Sequence, residues 1–321
     1  MSAVTPARPA VTPDASAPAR PGHQTGSGAG QTPFPASPAR PTNGSARPSQ
    51  PEGPEGFRRP RPRPAPRRSP NPAVTVVVPT RNESRNLEIV LPAIAAVRPA
   101  VHEVIVVDGN STDNTVAVAR RTLPWARVIT QTRKGKGNAM ACGFTAATGD
   151  VLVMFDADGS ADPNEIPAFV EALVGGADFA KGSRFRKGGG SDDITLLRKS
   201  GNAGLNGVAN RLFGTSYTDL CYGYNAFWAD LLPQLELPDP AAPQPEDGSM
   251  LWGDGFEIET VLNCRVAAAD LTISEVPSVE RERMFGETNL RTFADGTRVL
   301  RTLMAEHRRK EQRRKGSGYA R

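Results

Sequence analysis

Cysteine and histidine are scarce in this sequence, with three of each in 321 residues. Cys142, Cys221 and Cys264 are far apart and odd in number, which argues against a disulfide framework or a zinc site. His23, His102 and His307 have no partners at ligand spacing. Long apolar runs are lacking too. No stretch approaches the roughly 18 apolar residues of a membrane span, and the N-terminal region has no continuous apolar core of the signal-peptide kind. These absences point to a cytoplasmic protein rather than a secreted one, so the sequons at Asn43, Asn82 and Asn110 read as chance matches.

Lysine is missing from residues 1–73, which hold 18 of the 30 prolines, ten arginines and only three acids (Asp14, Glu52 and Glu55). Such a segment cannot bury enough apolar surface to offset its ordering entropy, and a disordered tail is expected there. It carries a net charge of +7, residues 305–321 carry +5, and the chain as a whole carries +5, which leaves −7 for the middle. The basic character therefore belongs to the ends. The middle shows no basic face interleaved with aromatics, which excludes nucleic acid as the partner. Peripheral contact of the basic ends with an anionic membrane surface is the minority reading. The domain plan is a tail over 1–73, a catalytic domain over 74–304 and a basic tail over 305–321.

From Val74 onward, strands and helices alternate. Apolar runs read as strands at Val74–Pro79, Glu103–Asp108, Arg127–Thr130 and Asp150–Phe155, with helical patterns between them, the last over Gly135–Ala147. This alternation predicts a mostly parallel sheet with helices on both faces, a Rossmann-like α/β fold. The C-terminal half is less regular. A strand is expected at Asp178–Arg184, helices at Leu196–Phe213 and Asp254–Ala268, a strand at Leu271–Val276 and an amphipathic terminal helix. Pro238–Gly248 reads as a surface insertion.

Ligands of such sheets bind at the carboxyl ends of the strands, and there the polar residues fall. Strand one ends in Thr80, Arg81, Asn82 and Glu83, strand two in Asp108, and the fourth in Asp156 and Asp158. Residues alternate sides along a strand, so Asp156 and Asp158 are expected to point the same way. Two such carboxylates repel unless a cation lies between them, and hard oxygen ligands favour Mg2+ or Mn2+. Taken alone, Asp-x-Asp is more often a solvated turn. The loop Arg133–Asn138, with Lys136, offers amides and cations for phosphates. It matches neither a P-loop nor a dinucleotide fingerprint.

Several motifs occur together and in order: Val78-Pro79-Thr80-Arg81-Asn82-Glu83, Val107-Asp108-Gly109-Asn110-Ser111-Thr112-Asp113, Gly135-Lys136-Gly137-Asn138-Ala139, Asp156-Ala157-Asp158-Gly159, Gly182-Ser183-Arg184-Phe185 and Arg283-x-x-Gly286-x-Thr288. In this order and spacing, over about Val74 to Arg301, the chain resembles the family 2 glycosyltransferases of GT-A fold. It is most similar to their polyprenyl-phosphate, dolichol-phosphate mannose synthase-like branch. The resemblance implies that Pro79, Asn82, Glu83 and Asp108 bind the base and ribose of a UDP- or GDP-sugar. It also implies that Asp156 and Asp158 hold the metal on its pyrophosphate. Arg184 and Arg198 would contact donor or acceptor phosphates, and Arg283 the acceptor phosphate. Ser160 departs from the branch, which often has a metal-binding glutamine at that position.

The expected activity is metal-dependent, inverting sugar transfer to polyprenyl phosphate. A hydroxyl acceptor, on a glycan or a small molecule, would need a carboxylate base, with Asp254, Glu257 and Asp219 as candidates. An anionic phosphate acceptor would need arginines instead. A non-catalytic nucleotide-sugar-binding protein is the reading from another class. A nucleotidyltransferase fits poorly, because Pro79–Glu83 stands where its glycine-rich signature would be.

Overall fold

The computed structural model describes residues 68–192, 194–286 and 292–318. It begins with β1 (Val74–Thr80), α1 (Ser84–Ala95), β2 (Glu103–Asp108), α2 (Thr115–Thr122) and β3 (Arg127–Thr130). Next come α3 (Lys136–Ala146), β4 (Val151–Met154), α4 (Ile166–Val174), β5 (Phe179–Ser183) and the two-residue β6 (Gly190–Ser191). The chain continues through α5 (Leu196–Phe213), β7 (Asn225–Trp228), α6 (Leu232–Leu235) and α7 (Ile258–Ala268). It closes with β8 (Ile273–Pro277), the short β9 (Val279–Glu280) and α8 (Thr292–Gly318).

Seven strands form one sheet in the order β3-β2-β1-β4-β7-β5-β8, and β6 pairs with β9 apart from it. All neighbours in the large sheet are parallel except that β7 runs against both β4 and β5. The chain builds outward from β1 to β3 and then returns to the other side of β1 to lay down β4. That reversal leaves a crevice at the carboxyl ends of β1 and β4.

The strands beside the crevice are closed off from solvent. Every residue of β2 and β4 is buried, as a strand covered on both faces requires. Leu87, Leu91 and Ile94 of α1 and Met140 and Phe144 of α3 join the strand valines in the main core. A smaller cluster forms where Ala209 and Phe213 of α5, Cys264 of α7 and Leu303 of α8 meet.

The ends of the chain differ from the sequence expectation where they are described. The tail expected over 1–73 lies outside the described residues up to 67. Arg68 is held against the domain, 2.5 Å from Asp178 and 3.1 Å from Asp230, while Pro70 and Asn71 are exposed. The C-terminal segment begun at residue 305 continues α8 without a break. Arg309 and Arg313 both reach Glu236, just past α6. Among the described residues, no helix is long and apolar enough to cross a membrane.

Candidate active site

β1 leaves the sheet at Thr80, whose buried hydroxyl donates to the Val107 carbonyl at 3.3 Å. The half-buried Pro79 precedes it. Asn82 follows with a φ of 57°, a left-handed conformation that asparagine tolerates better than most residues. Its backbone N–H donates to Ser111 Oγ, and its side-chain oxygen accepts from the Thr112 N–H at 2.8 Å. At the end of β2, Asp108 accepts from the Ser111 N–H at 3.2 Å. The ends of β1 and β2 are thus tied into one polar rim through the 108–115 turn.

β4 ends at Met154, and just beyond it Asp156 and Asp158 are both partly exposed while Phe155 and Ala157 are buried. The two carboxylates take different partners. Asp156 is met by Lys136 of α3, with Nζ 2.7 Å from Oδ1. Asp158 Oδ1 accepts from the Ser160 N–H at 3.0 Å and hydroxyl at 2.8 Å, and its Oδ2 lies 3.2 Å from Arg283. Neither acid is sealed, with side-chain exposures of 37% for Asp156 and 22% for Asp158.

Arg283 also pairs with Glu83, so one guanidinium joins the end of β1 to the acid turn. Burial pushes the Glu83 carboxyl above its ordinary value, against the Asn86 and Arg283 donors that favour its charge. The segment carrying Arg283 folds over the acid turn. The Met284 N–H donates to the Asp158 carbonyl at 3.1 Å, and the Arg281 N–H to that of Ser160 at 2.8 Å. Gly159 is required beneath it, since its φ is 78° and a Cβ there would stand 2.7 Å from Met284 Sδ. Thr288 of the same motif lies outside the described residues.

Lys136 has a second carboxylate, that of Glu259 on the first turn of α7, 2.6 Å from Nζ. Burial pulls the Lys136 ammonium down, but the carboxylates of Asp156 and Glu259 outweigh it and hold it well above the ordinary lysine value. At Gly223 a Cβ would lie 3.2 Å from Glu259 Oε1 and 3.6 Å from Asp156 Oδ2, so both acids face one stretch of backbone. Sequence reasoning passed over Glu259 in favour of Asp254 and Glu257. The available signal was its place at the head of a helix in which every residue from Thr260 to Ala267 is buried. An acid in such a setting needs a partner.

Other expected site residues are engaged elsewhere. Asp254 is sealed and bound through both oxygens to Arg133, which is itself 1% exposed. A carboxylate held this way has no free oxygen facing an acceptor, which removes it as a base. Asp219 is equally sealed, accepting from Arg184 Nε at 2.7 Å and Nη2 at 2.9 Å. Burial alone would raise the Asp219 carboxyl, but the Arg184 bonds overcome it and hold it below its ordinary range. Arg184 also meets Glu280 at 2.8 Å, so two acids of the protein already neutralise it. Glu257 accepts from the Gly253 and Gly255 N–H groups and acts as a loop clasp. The Arg198 N–H is capped by Thr195 Oγ1 in the first turn of α5.

The loop Arg133–Asn138, whose last three residues open α3, departs from expectation for a related reason. The Gly137 N–H donates to the Gly255 carbonyl and the Asn138 N–H to that of Asp254, so these amides bind protein rather than phosphate. Of this loop, Lys136 is the residue brought to the acid turn.

The residues that the structure does assemble are Lys136, Asp156 and Glu259 on one side, and Glu83, Asp158 and Arg283 on the other. A pair of acids that draws an ammonium and a guanidinium is a site of strong demand for positive charge, and its donors are hard oxygens of the type that bind Mg2+ or Mn2+. The glycosyl transferase family 2 profile matches residues 75–235, which span β1 to α6. The chain belongs to this family.

Its relatives agree with the resemblance drawn from the motifs. The chain is 30% identical over 231 residues to the dolichyl-phosphate hexose transferase of Haloferax volcanii, covering 72% of this chain and 92% of that protein. It is 44% identical over 112 residues to an uncharacterized glycosyltransferase of Mycobacterium bovis, a match covering 35% of this chain and 49% of the relative. The match thus spans about half of that relative's length. Glucosyl-3-phosphoglycerate synthase from Mycobacterium tuberculosis, solved with Mn2+, UDP and glucosyl-3-phosphoglycerate, shares the fold with a TM-score of 0.55 and 23% identity. That likeness covers 73% of this chain and 80% of the other. The chain thus has the GT-A fold of this family.

Proposed function

We propose that this glycosyltransferase moves a hexose from a nucleoside diphosphate sugar to a polyprenyl phosphate, with Mg2+ or Mn2+ at Asp156 and Asp158. The observation that carries this reading is the acid turn at the switch point, where Lys136 and Arg283 each lie against one of the two carboxylates. When bound there, a divalent ion supplies Lewis-acid stabilisation of the departing diphosphate. The rim of Pro79, Thr80, Asn82, Glu83 and Asp108 would receive base and ribose, and Lys136 would lie beside the pyrophosphate. Attack on the sugar carbon from the face opposite the diphosphate gives inversion.

The state of the candidate bases supports the phosphate acceptor. Asp254 and Asp219 are locked to arginines and Glu257 is spent on backbone N–H groups. A hydroxyl acceptor needs a base within hydrogen-bond reach, whereas a phosphate is already anionic. Arg283, 26% exposed at the acid turn, is the cation placed to meet it. Similarity to the dolichyl-phosphate hexose transferase supports the same class of acceptor. Delivery of such an acceptor calls for peripheral contact with a membrane surface.

The test is to incubate the purified chain with Mn2+, radiolabelled UDP- or GDP-hexoses and polyprenyl phosphate in detergent. Label passing into an organic-soluble, acid-labile product supports the reading. Label appearing only in water-soluble glycans or small molecules overturns the acceptor, and nucleotide binding without any transfer overturns the catalysis.

A further inference from the structure

Lys136 lies between two carboxylates, those of Asp156 and Glu259. Its Nζ is 2.7 Å from Asp156 and 2.6 Å from Glu259, and its side chain is 16% exposed. We propose that Glu259 is a positioning residue of this transferase. It is the second seat of the Lys136 ammonium and draws that charge away from Asp156 when a divalent cation takes the Asp156 carboxylate. This inference rests on reading Asp156 as a cation ligand.

An ammonium against Asp156 opposes a divalent ion at the same oxygens. An ammonium as enclosed as this one cannot simply withdraw into water, and burying it unpaired is costly. It therefore needs a carboxylate at each place it occupies. Glu259 meets that need, being already in contact and 13% exposed. Its place in the first turn of α7 suits an ionised acid, because the helix N-terminus carries partial positive charge. Gly223 eases the close approach, since a Cβ there would press on the Glu259 carboxylate at 3.2 Å and touch Asp156 at 3.6 Å. The ammonium can thus shift its weight from one acid to the other with little movement of its stem.

A glutamate that acts through Lys136 is distinguished from one that acts directly on the ion by a double-mutant cycle. Mn2+ binding to the full chain is measured without any nucleotide sugar, by the electron paramagnetic resonance signal of free Mn2+. The proteins are wild type, Glu259→Gln, Lys136→Met and the double variant. Glu259→Gln is expected to weaken Mn2+ binding by about tenfold and Lys136→Met to tighten it; in the Lys136→Met background, Glu259→Gln should change it by less than about threefold. Glu259→Asp keeps the charge and is expected to restore most of the affinity, which separates the effect from misfolding. An equal loss in both backgrounds, or no loss with Lys136 present, overturns the proposal. If wild type binds no Mn2+, or Asp156→Asn binds it as well as wild type, the cation reading of Asp156 fails, and this inference falls with it.

Discussion

Arg133 and Asp254 form a two-pronged ion pair, at 2.7 and 3.0 Å, with both side chains shut off from solvent. The pair joins the loop before α3 to the loop before α7. The remaining Arg133 donor, Nη1, holds the carbonyls of Asp239, Pro240 and Ala242 in the proline-rich insertion. Removing one partner strands a buried charge. Asp254→Asn is expected to cost about 3–5 kcal/mol and lower the melting temperature by roughly 6–20 °C. Urea and thermal unfolding check this. Arg133→Met combined with Asp254→Asn should recover part of the loss, because no uncompensated charge then remains.

Asp158 differs in being partly exposed, and under the proposed function its work is chemical. Asp158→Ala is expected to lower turnover by about a thousandfold, equivalent to about 4 kcal/mol of barrier. Its melting temperature should stay close to that of wild type. Near-normal transfer by the purified variant would remove Asp158 from the catalytic centre. Chelation of divalent ions with EDTA should abolish transfer in wild type, and excess Mn2+ should restore it.

Gly159 tests how closely the Arg283 segment must lie over the acid turn. Gly159→Ala meets a positive φ of 78° and the Met284 sulfur together. The backbone strain alone is expected to cost about 1 kcal/mol. Transfer should fall further, since the Met284 N–H bond to Asp158 would be displaced. Adding Met284→Ala should recover activity more than stability, because it relieves the collision and leaves the φ strain in place.

Lys181 of β5 is fully buried, donating to the Tyr222 and Gly182 carbonyls at 2.6 and 3.1 Å. Burial pulls its ammonium down to about 8, although nearby Asp219 favours the charge. Between that value and the ordinary 10.5, the unfolded chain binds the proton and the folded chain does not. Stability contributed at this position should therefore rise as pH increases through that window. Denaturant unfolding from pH 7.5 to 10 checks this against Lys181→Met, which should lack the rise.

Much of the fold was legible in the order of apolar runs. β2 and β3 fall on the residues expected, and β1, β4, β5, α3 and α5 within two of theirs. Local patterning sets such elements, because a buried parallel strand needs a continuous apolar run. α7 begins at Ile258 rather than Asp254 because Asp254 is sealed against Arg133 and its carbonyl receives an N–H from α3. The antiparallel placing of β7 between β4 and β5 left no mark in its own four residues.

The sequence by itself determined that acids and an asparagine would close the first, second and fourth strands, since the apolar runs and the polar residues that end them are a local pattern. Only the tertiary structure decided which charges meet. Arg184, Arg133 and Arg283 look alike in the chain, yet the first two are consumed by sealed acids and the third reaches the acid turn. Glu259 likewise gains its importance from Lys136, 123 positions earlier in the sequence. Pairing of charges depends on distance and burial, and folding brings together residues whose separation along the chain carries no information about either.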